Sequence, residues 1–379
     1  MNAGAVQILW DASHLWGLMA LAAMRGLGVS CELIGAKDIA HGCLFRKQPG
    51  ILVIPGGNAR QKARALGAAG REAIRAWLGA GGVYLGFCGG AGLALEQARQ
   101  EDGLGICPWR RGNYADRQSH LVSGHVLADT VRGRMALPVW WPGRFGAAAG
   151  QLEILAAYAG PGDDVWLGDR PLKNAAMPEF PCGQPLVIRG RYGQGVYILS
   201  YAHLETPASQ AANAWLAEIL REHGACPASR QTGEWRLAPG FSVRQGLLGD
   251  ACQRLLEIFA YGERLGLFFR RTSWLYGWRQ GAPGMICNYL LADLAELGKH
   301  DASGLDRQSG VALAGFLDQA ELYFRNLRPG AGCGLLREEG AFAPEERDRI
   351  FGHAMLGGGL AGALLARLEQ AIIRRQARI

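Results

Sequence analysis

The sequence predicts an α/β protein, a mostly parallel sheet with helices on both faces, followed by a C-terminal all-helical region. Three observations carry this. Short apolar runs alternate with helical patterns from Val6 to His223, the succession that builds a parallel sheet covered on both sides. Several of those runs end in glycine-rich turns, as in Ile51-Leu52-Val53-Ile54-Pro55-Gly56-Gly57. Past residue 241 the apolar spacing settles into threes and fours alone, the period of helices.

In chain order, Val6 to Trp10 reads as the first strand and His14 to Leu27 as the helix after it. Ser30 to Ile34 is the second strand, Ala36 to Ala40 a short helix, and Gly50 to Ile54 the third strand. Between Ala59 and Leu78 the residues Leu66, Ala69, Ala73, Ile74, Trp77 and Leu78 recur at helical spacing, which predicts an amphipathic helix laid on the sheet. Val83 to Phe87 is the next strand. From Gly103 to Pro181, proline and glycine turns separate short β-like runs such as Val139 to Trp141 and Leu152 to Tyr158. Antiparallel strands and long loops are expected there, beside the main sheet. Pro185 to Gly190 and Gly195 to Tyr201 form a hairpin joined by Arg-Tyr-Gly-Gln, and Ser209 to His223 closes the domain as a helix.

Residues 1–223 therefore make one domain, the polar, proline-bearing stretch 224–240 a linker, and 241–379 a helical domain. Its helices are expected at Leu247 to Leu265, Met285 to Leu297, Gly310 to Leu327 and Pro344 to Ile373. Between two of them, Phe268 to Trp278 interleaves aromatic residues with arginines. It reads as an amphipathic core segment whose arginines reach for solvent, or as a patch that docks a membrane surface or a protein partner.

Composition narrows the function classes. With 379 residues and 49% hydrophobic content the chain can bury a substantial core. The net charge of +7 comes from 40 Lys and Arg against 33 Asp and Glu. The arginines are scattered singly, without a basic block interleaved with aromatics, so nucleic-acid binding is not expected. Nine cysteines, an odd number with no C-x-x-C pair, fit a reducing cytoplasm and neither a disulfide framework nor a zinc site. The apolar run Leu15 to Val29 follows Asp11 and His14 where a signal peptide would carry Lys or Arg. Ala354 to Ala366 falls short of the roughly 20 residues a membrane span needs. A cytoplasmic protein with no membrane span and no cofactor is expected. His120 and His125, with Asp116 and Asp129 nearby, lack a third ligand at convincing spacing, so no metal is expected either.

The sharpest local feature is Val83-Tyr84-Leu85-Gly86-Phe87-Cys88-Gly89-Gly90-Ala91-Gly92, an apolar strand running into G-x-C-x-G and then a helix. Small residues on both sides let the chain bend sharply and hold the central side chain exposed above the sheet, the form of a nucleophile elbow. At a helix N-terminus the backbone N–H groups also favour a thiolate. Alone, the motif also fits a structural tight turn over a buried thiol. Two further features point to chemistry. The Pro55-Gly56-Gly57 loop ends a strand, so an N–H near Gly57 can join that of Gly89 in holding an oxyanion. Val196 to Glu205 ends another strand in His203-Leu204-Glu205, where an imidazole can take the thiol proton and a carboxylate can fix its tautomer.

Together these residues resemble the class I glutamine amidotransferase superfamily, with its P-G-G loop, G-x-C-x-G turn and closing H-x-E. Within it, Leu85 to Ala91 and the Pro138 to Phe145 segment look most like the N-terminal domain of some biotin–protein ligases. The resemblance covers roughly residues 1–223 and implies a flavodoxin-like fold. It implies Cys88 as nucleophile, His203 as base, Glu205 as its orienter, and Gly57 and Gly89 as oxyanion donors. Glutaminases of the superfamily carry Gln four residues after the nucleophile; here that residue is Gly92. No G-R-G-R-x-G ligase loop occurs, so biotin transfer is not expected. Arg110, Arg111 and Arg144 lie in the segment expected to overhang the sheet's carboxyl edge. With Gly56 they are candidates to bind a substrate carboxylate or phosphate, or, for the arginines, simply solvated charges. The expected function is a cysteine-dependent amidase or amidotransferase-like hydrolase acting on a small-molecule amide or acyl substrate. The alternative is an inactive binding or regulatory module whose helical domain docks a protein partner.

Overall fold

The structure is a computed structural model and describes residues 2–112, 121–146, 152–174, 180–236, 246–279, 282–299, 305–326, 344–353 and 357–376. The chain forms two compact units, Met1–Glu234 and Trp235–Ile379.

The first unit begins with strand β1 (Asn2–Leu9), helix α1 (His14–Gly26), β2 (Cys31–Ile34), α2 (Ala36–Ala40), α3 (Cys43–Lys47) and β3 (Pro49–Ile54). Helix α4 (Ala59–Gly79), β4 (Val83–Phe87) and α5 (Gly89–Ala94) follow, then the short strands β5 (Leu95–Glu96) and β6 (Cys107–Arg111). A run of strands comes next: β7 (Val122–Thr130), β8 (Gly133–Trp140), β9 (Phe145–Gly146), β10 (Glu153–Pro161), β11 (Trp166–Leu167), β12 (Arg170–Pro171), β13 (Pro185–Tyr192) and β14 (Gly195–Ser200). Helix α6 (Gln210–Glu222) completes the regular elements.

Strands β2, β1, β3, β4 and β14 lie side by side in that order and run parallel. Counting β14 as the fifth parallel strand, this is the flavodoxin-like order 2-1-3-4-5. A run of four apolar residues suits such a strand because both of its faces are covered. Ile51, Leu52, Val53 and Ile54 are each 1% exposed or less, and each contributes about 1.5–3 kcal/mol relative to exposure. The antiparallel strands β13, β10, β7 and β8 continue the same sheet beyond β14, where the sequence suggested a structure beside it. Strands β5, β6 and β9 form a small separate sheet.

Because the five strands are parallel, the residues after Leu9, Ile54, Phe87 and Ser200 all emerge at one edge. The strand order reverses between β1 and β3, the place where ligands bind in folds of this kind. Helix α4 supports that edge. Asn58 caps it, its side-chain oxygen accepting from the N–H groups of Arg60 and Gln61 at 3.0 and 3.1 Å. The helix buries Lys62, Leu66, Gly70, Ile74, Trp77 and Leu78. Ala69, expected on the inner face, is exposed, because the non-helical Gly67 (φ 60°) resets the helical phase.

Residues 224–234, part of the expected linker, lie against the first unit. Ala228 N–H and Ser229 N–H donate to Leu27 O at 2.8 and 3.1 Å, and the Thr232 hydroxyl donates to Asn213 Oδ1 at 2.7 Å. The second unit contains helices α7 (Leu247–Arg264), α8 (Gly284–Gly298), α9 (Arg307–Asn326), α10 (Pro344–Phe351) and α11 (Gly359–Gln376). The helix expected from Pro344 to Ile373 is thus two helices, and Gly352, Gly357, Gly358 and Gly359, all at positive φ, flank the break. Phe268 to Trp278 is a hairpin of β15 (Phe268–Arg270) and β16 (Tyr276–Trp278). Phe268, Trp274, Leu275 and Tyr276 are buried and Arg270 lies over the Tyr276 ring, which is the core-segment reading of that stretch. The buried Asn288 clamps it, accepting from Tyr276 N–H and donating to Tyr276 O, both at 2.9 Å. Among the described residues no helix is long and apolar enough to cross a membrane.

Candidate active site

At the end of β4 the chain turns at Cys88, whose φ of 46° and ψ of −100° place a non-glycine residue in left-handed territory. Such a conformation costs about 1–3 kcal/mol and persists only where neighbours enforce it. Here Cys88 N–H donates to Ser200 O of β14 at 2.7 Å, and Gly92 N–H donates to Cys88 O at 2.9 Å. The following glycines explain why the sequence needs them. A Cβ on Gly89 would lie 1.9 Å from Gly57 O, and one on Gly90 would lie 2.0 Å from Ile54 O. The start of α5 is therefore pressed against the end of β3, and the Gly57 and Gly89 peptides are in contact. Cys88 itself is half-buried.

Strand β14 is the neighbour of β4, with Ser200 opposite Phe87, so the residues after Ser200 emerge next to the turn at Cys88. His203 N–H donates to Pro138 O at 2.8 Å, and Asn213 Nδ2 donates to Leu204 O and Thr206 O, both at 2.9 Å. These bonds fix the His203–Glu205 turn. Both side chains are fully buried, with His203 Nδ1 and Glu205 Oε1 2.8 Å apart. Burial alone would push the imidazole pKa down. The Glu205 carboxylate, with Cys88 close by, outweighs burial and brings it up to about 10. Nε2 makes no hydrogen bond of ordinary geometry among the described residues, although Cys88 is near enough to help hold the imidazole proton. The Trp16 ring lies 4.7 Å from the imidazole, centroid to centroid, and Trp141 lies edge-on to Trp16 at 6.3 Å.

Gly56, a candidate for binding substrate, lies against the imidazole: a Cβ there would sit 2.9 Å from His203 Cε1 and 3.0 Å from Trp16 Cγ. Gly56→Ala is expected to displace the ring and slow alkylation of Cys88 by about tenfold or more, since misplacement of about 1 Å can cost 100-fold. Timed iodoacetamide labelling followed by peptide mass analysis checks this; an unchanged rate would show that the imidazole is not held by Gly56.

The three candidate arginines meet on the small sheet. Arg110 pairs with Gly146, Arg111 with Phe145, and Gly112 N–H donates to Arg144 O at 2.8 Å. The Phe145 ring packs on Tyr201 at 4.4 Å, which joins this sheet to the residues after β14. Arg110 is exposed and donates to Glu96 at 2.9 Å, so its charge is engaged at the surface. Arg111 is exposed and Arg144 half-buried. Of the residues considered for a metal, His120 and Asp116 lie outside the described residues, His125 bonds Asp164 and Asp129 pairs with Arg134. No group of three or more His, Cys, Asp or Glu is placed to hold a metal ion among the described residues.

Lys62 is the principal residue the sequence pattern did not single out. It is fully buried, and its Nζ donates to Asp11 O at 3.1 Å and to Ser13 Oγ. Its Cε lies 3.6 Å from where a Cβ on Gly57 would be, and Ala12 O only 2.3 Å from that point. The ammonium thus holds the β1–α1 loop, with its strained Ala12 and His14, and the Ala12 carbonyl of that loop closes over the α-carbon of Gly57. The Asp11 carboxylate accepts from Ala36 N–H at 2.6 Å; burial raises its pKa, against the opposing effects of that bond and of Lys62. Spacing held the clue, since Lys62 lies four residues before Leu66 on the buried stripe.

The fold defines the class: an α/β domain with a flavodoxin-like parallel sheet, its candidate residues at the strand ends. More particularly, residues 39–104 match the family model described as "Biotin-protein ligase, N terminal". That match spans Gly56, Gly57, Cys88 and Gly89 and ends before His203. No curated protein matches the chain. Among solved structures, a glutamine amidotransferase is similar at 19% identity over 58% of this chain and 99% of its own, with a TM-score of 0.41. A putative GMP synthase component from Thermoplasma acidophilum is 12% identical over 59% of this chain and 93% of its own, at 0.38. A β-galactosidase from Bacillus circulans sp. alkalophilus is 11% identical over 60% of this chain, at 0.37; there the match spans only 32% of the galactosidase.

Proposed function

We propose that the first unit is a cysteine-dependent amidase or amidotransferase-like hydrolase acting on a small amide or acyl substrate. The observation that carries this is the buried His203–Glu205 pair, held at the end of β14 beside a Cys88 locked in a left-handed turn on the neighbouring strand. His203, protonated at neutral pH, holds on Nε2 the proton that leaves Cys88, and the sulfur attacks the substrate carbonyl. Glu205 holds Nδ1–H and balances the imidazolium. The N–H groups of Gly57 and Gly89 receive the oxyanion, each worth about 3 kcal/mol of barrier. His203 then returns the proton to the leaving amine, leaving a thioester that water or an acceptor amine resolves. Gly92 supplies no side-chain amide, so a substrate other than glutamine is favoured. Arg144 is the candidate to bind a substrate carboxylate. Every described cysteine is free, which suits a reducing compartment such as the cytoplasm.

The test compares thiols within one molecule. At neutral pH Cys88 is expected to react with iodoacetamide faster than the exposed Cys182 and Cys226. Burial raises the pKa of Cys43, Cys252 and Cys287, and these should lag far behind. With p-nitrophenyl acetate, an acetyl group should appear on Cys88 by mass spectrometry. If Cys88 reacts no faster than the two exposed thiols and takes no acetyl group, the domain is a binding module that keeps only the fold.

A further inference from the structure

We propose that Ser209, His125 and Asp164 form a second acyl-transfer site, of the serine type, in the first unit. His125 lies on β7, Asp164 in the turn between β10 and β11, and Ser209 immediately before α6. Asp164 Oδ2 is 2.8 Å from His125 Nδ1, and its Oδ1 accepts from His125 N–H at 2.7 Å. His125 Nε2 is 3.1 Å from Ser209 Oγ. With Nδ1–H committed to the carboxylate, Nε2 is the acceptor and the Ser209 hydroxyl donates, the polarity that activates a hydroxyl for attack.

Three further features suit catalysis better than a simple staple. A serine before a helix ordinarily caps it, yet Ser209 makes no side-chain cap bond and gives its hydroxyl to the imidazole instead. The first N–H groups of the 13-residue α6 lack acceptors within the helix and follow directly on Ser209 in the chain, and they are the proposed oxyanion donors. Ala208, just before the serine, is held at φ 56°, with its N–H donating to the Thr232 hydroxyl at 3.1 Å. Ser209 is 6% exposed, while the His125 and Asp164 side chains are 34% and 47% exposed. The relay therefore opens to solvent at its histidine end. It shares no residue with the cysteine site, although His125 is paired across the sheet with Pro138, whose carbonyl accepts from His203 N–H.

The substrate class is a small ester or activated acyl group. Ser209 Oγ bonds to the acyl carbon as its proton passes to His125 Nε2. The ester oxygen leaves with that proton, and water, deprotonated by His125, releases the acid and restores the hydroxyl.

A fluorophosphonate probe tests this directly, because the Oγ–P bond forms as P–F breaks and the adduct stays on the serine. The full chain and its Cys88→Ala variant are expected to carry one probe on Ser209, located by peptide mass analysis. Ser209→Ala should remove the adduct with its circular dichroism spectrum unchanged. Asp164→Asn, a change at an exposed side chain, should slow labelling by about 100-fold or more. Absence of a Ser209 adduct under conditions that fully label a control esterase overturns the proposal, as does labelling of Asp164→Asn at the wild-type rate. Labelling in the Cys88→Ala background keeps this outcome independent of the thiol chemistry.

Discussion

Glu205→Gln is expected to slow acetylation of Cys88 by p-nitrophenyl acetate by about 100- to 10,000-fold while leaving the fold in place. Glutamine matches glutamate in size and can still meet His203 Nδ1, but it carries no charge to balance the imidazolium. Because both side chains are fully buried, water cannot take over that task. The same substitution should change how stability depends on pH. In the folded protein His203 titrates at about 10, above its ordinary 6.5. The stability from that shift is fully present below about pH 6.5 and is lost as pH rises through about 10. Wild-type thermal stability should accordingly fall between pH 7 and pH 10. In Glu205→Gln burial is no longer offset by a carboxylate, so the imidazole pKa drops and the trend from this group reverses. Melting curves of both proteins at pH 6, 8 and 10 test the difference between them; parallel curves would mean that Glu205 does not hold the His203 proton.

Local constraints, and the distant residues that belong to recognisable motifs, were legible in the chain, whereas distant partners outside any motif were not. The run Ile51 to Ile54 is apolar because both faces of β3 are covered, and Gly89 and Gly90 are glycines because neighbouring carbonyls leave no room for a Cβ. Both constraints act within a few residues and leave a mark in the sequence. The hairpin at Phe268 to Trp278 left none, since buried aromatic residues pack equally well from a strand or a helix, and its clamp, Asn288, lies well downstream. Ser209 and Asp164 were invisible as partners of His125 because 84 and 39 residues separate them from it. Lys62 was masked by its charge. Lysine on an amphipathic helix usually marks the solvated face, and only the β1–α1 loop, folded over it, supplies the carbonyl and hydroxyl that satisfy a buried ammonium.

Lys62 is where stability and activity should separate. Lys62→Ala removes a long buried side chain and leaves Asp11 O and Ser13 Oγ without their donor, so a loss of about 3–5 kcal/mol is expected. Lys62→Met fills most of that volume and abolishes the cost of burying an ammonium, which offsets much of the lost bonding; about 1–2 kcal/mol remains. Because the chain has two units, hydrogen exchange across residues 5–17 reads this locally better than a global melt. Both variants lose the ammonium's bonds to the β1–α1 loop, whose Ala12 carbonyl closes over the α-carbon of Gly57, so the loop is free to shift against that peptide. Acetylation of Cys88, which needs an oxyanion donor, should therefore fall by about 100-fold in both. Alkylation by iodoacetamide passes through no oxyanion and should stay within about threefold of wild type in Lys62→Met. Equal losses in the two reactions would place the effect on the thiol and not on the Gly57 peptide.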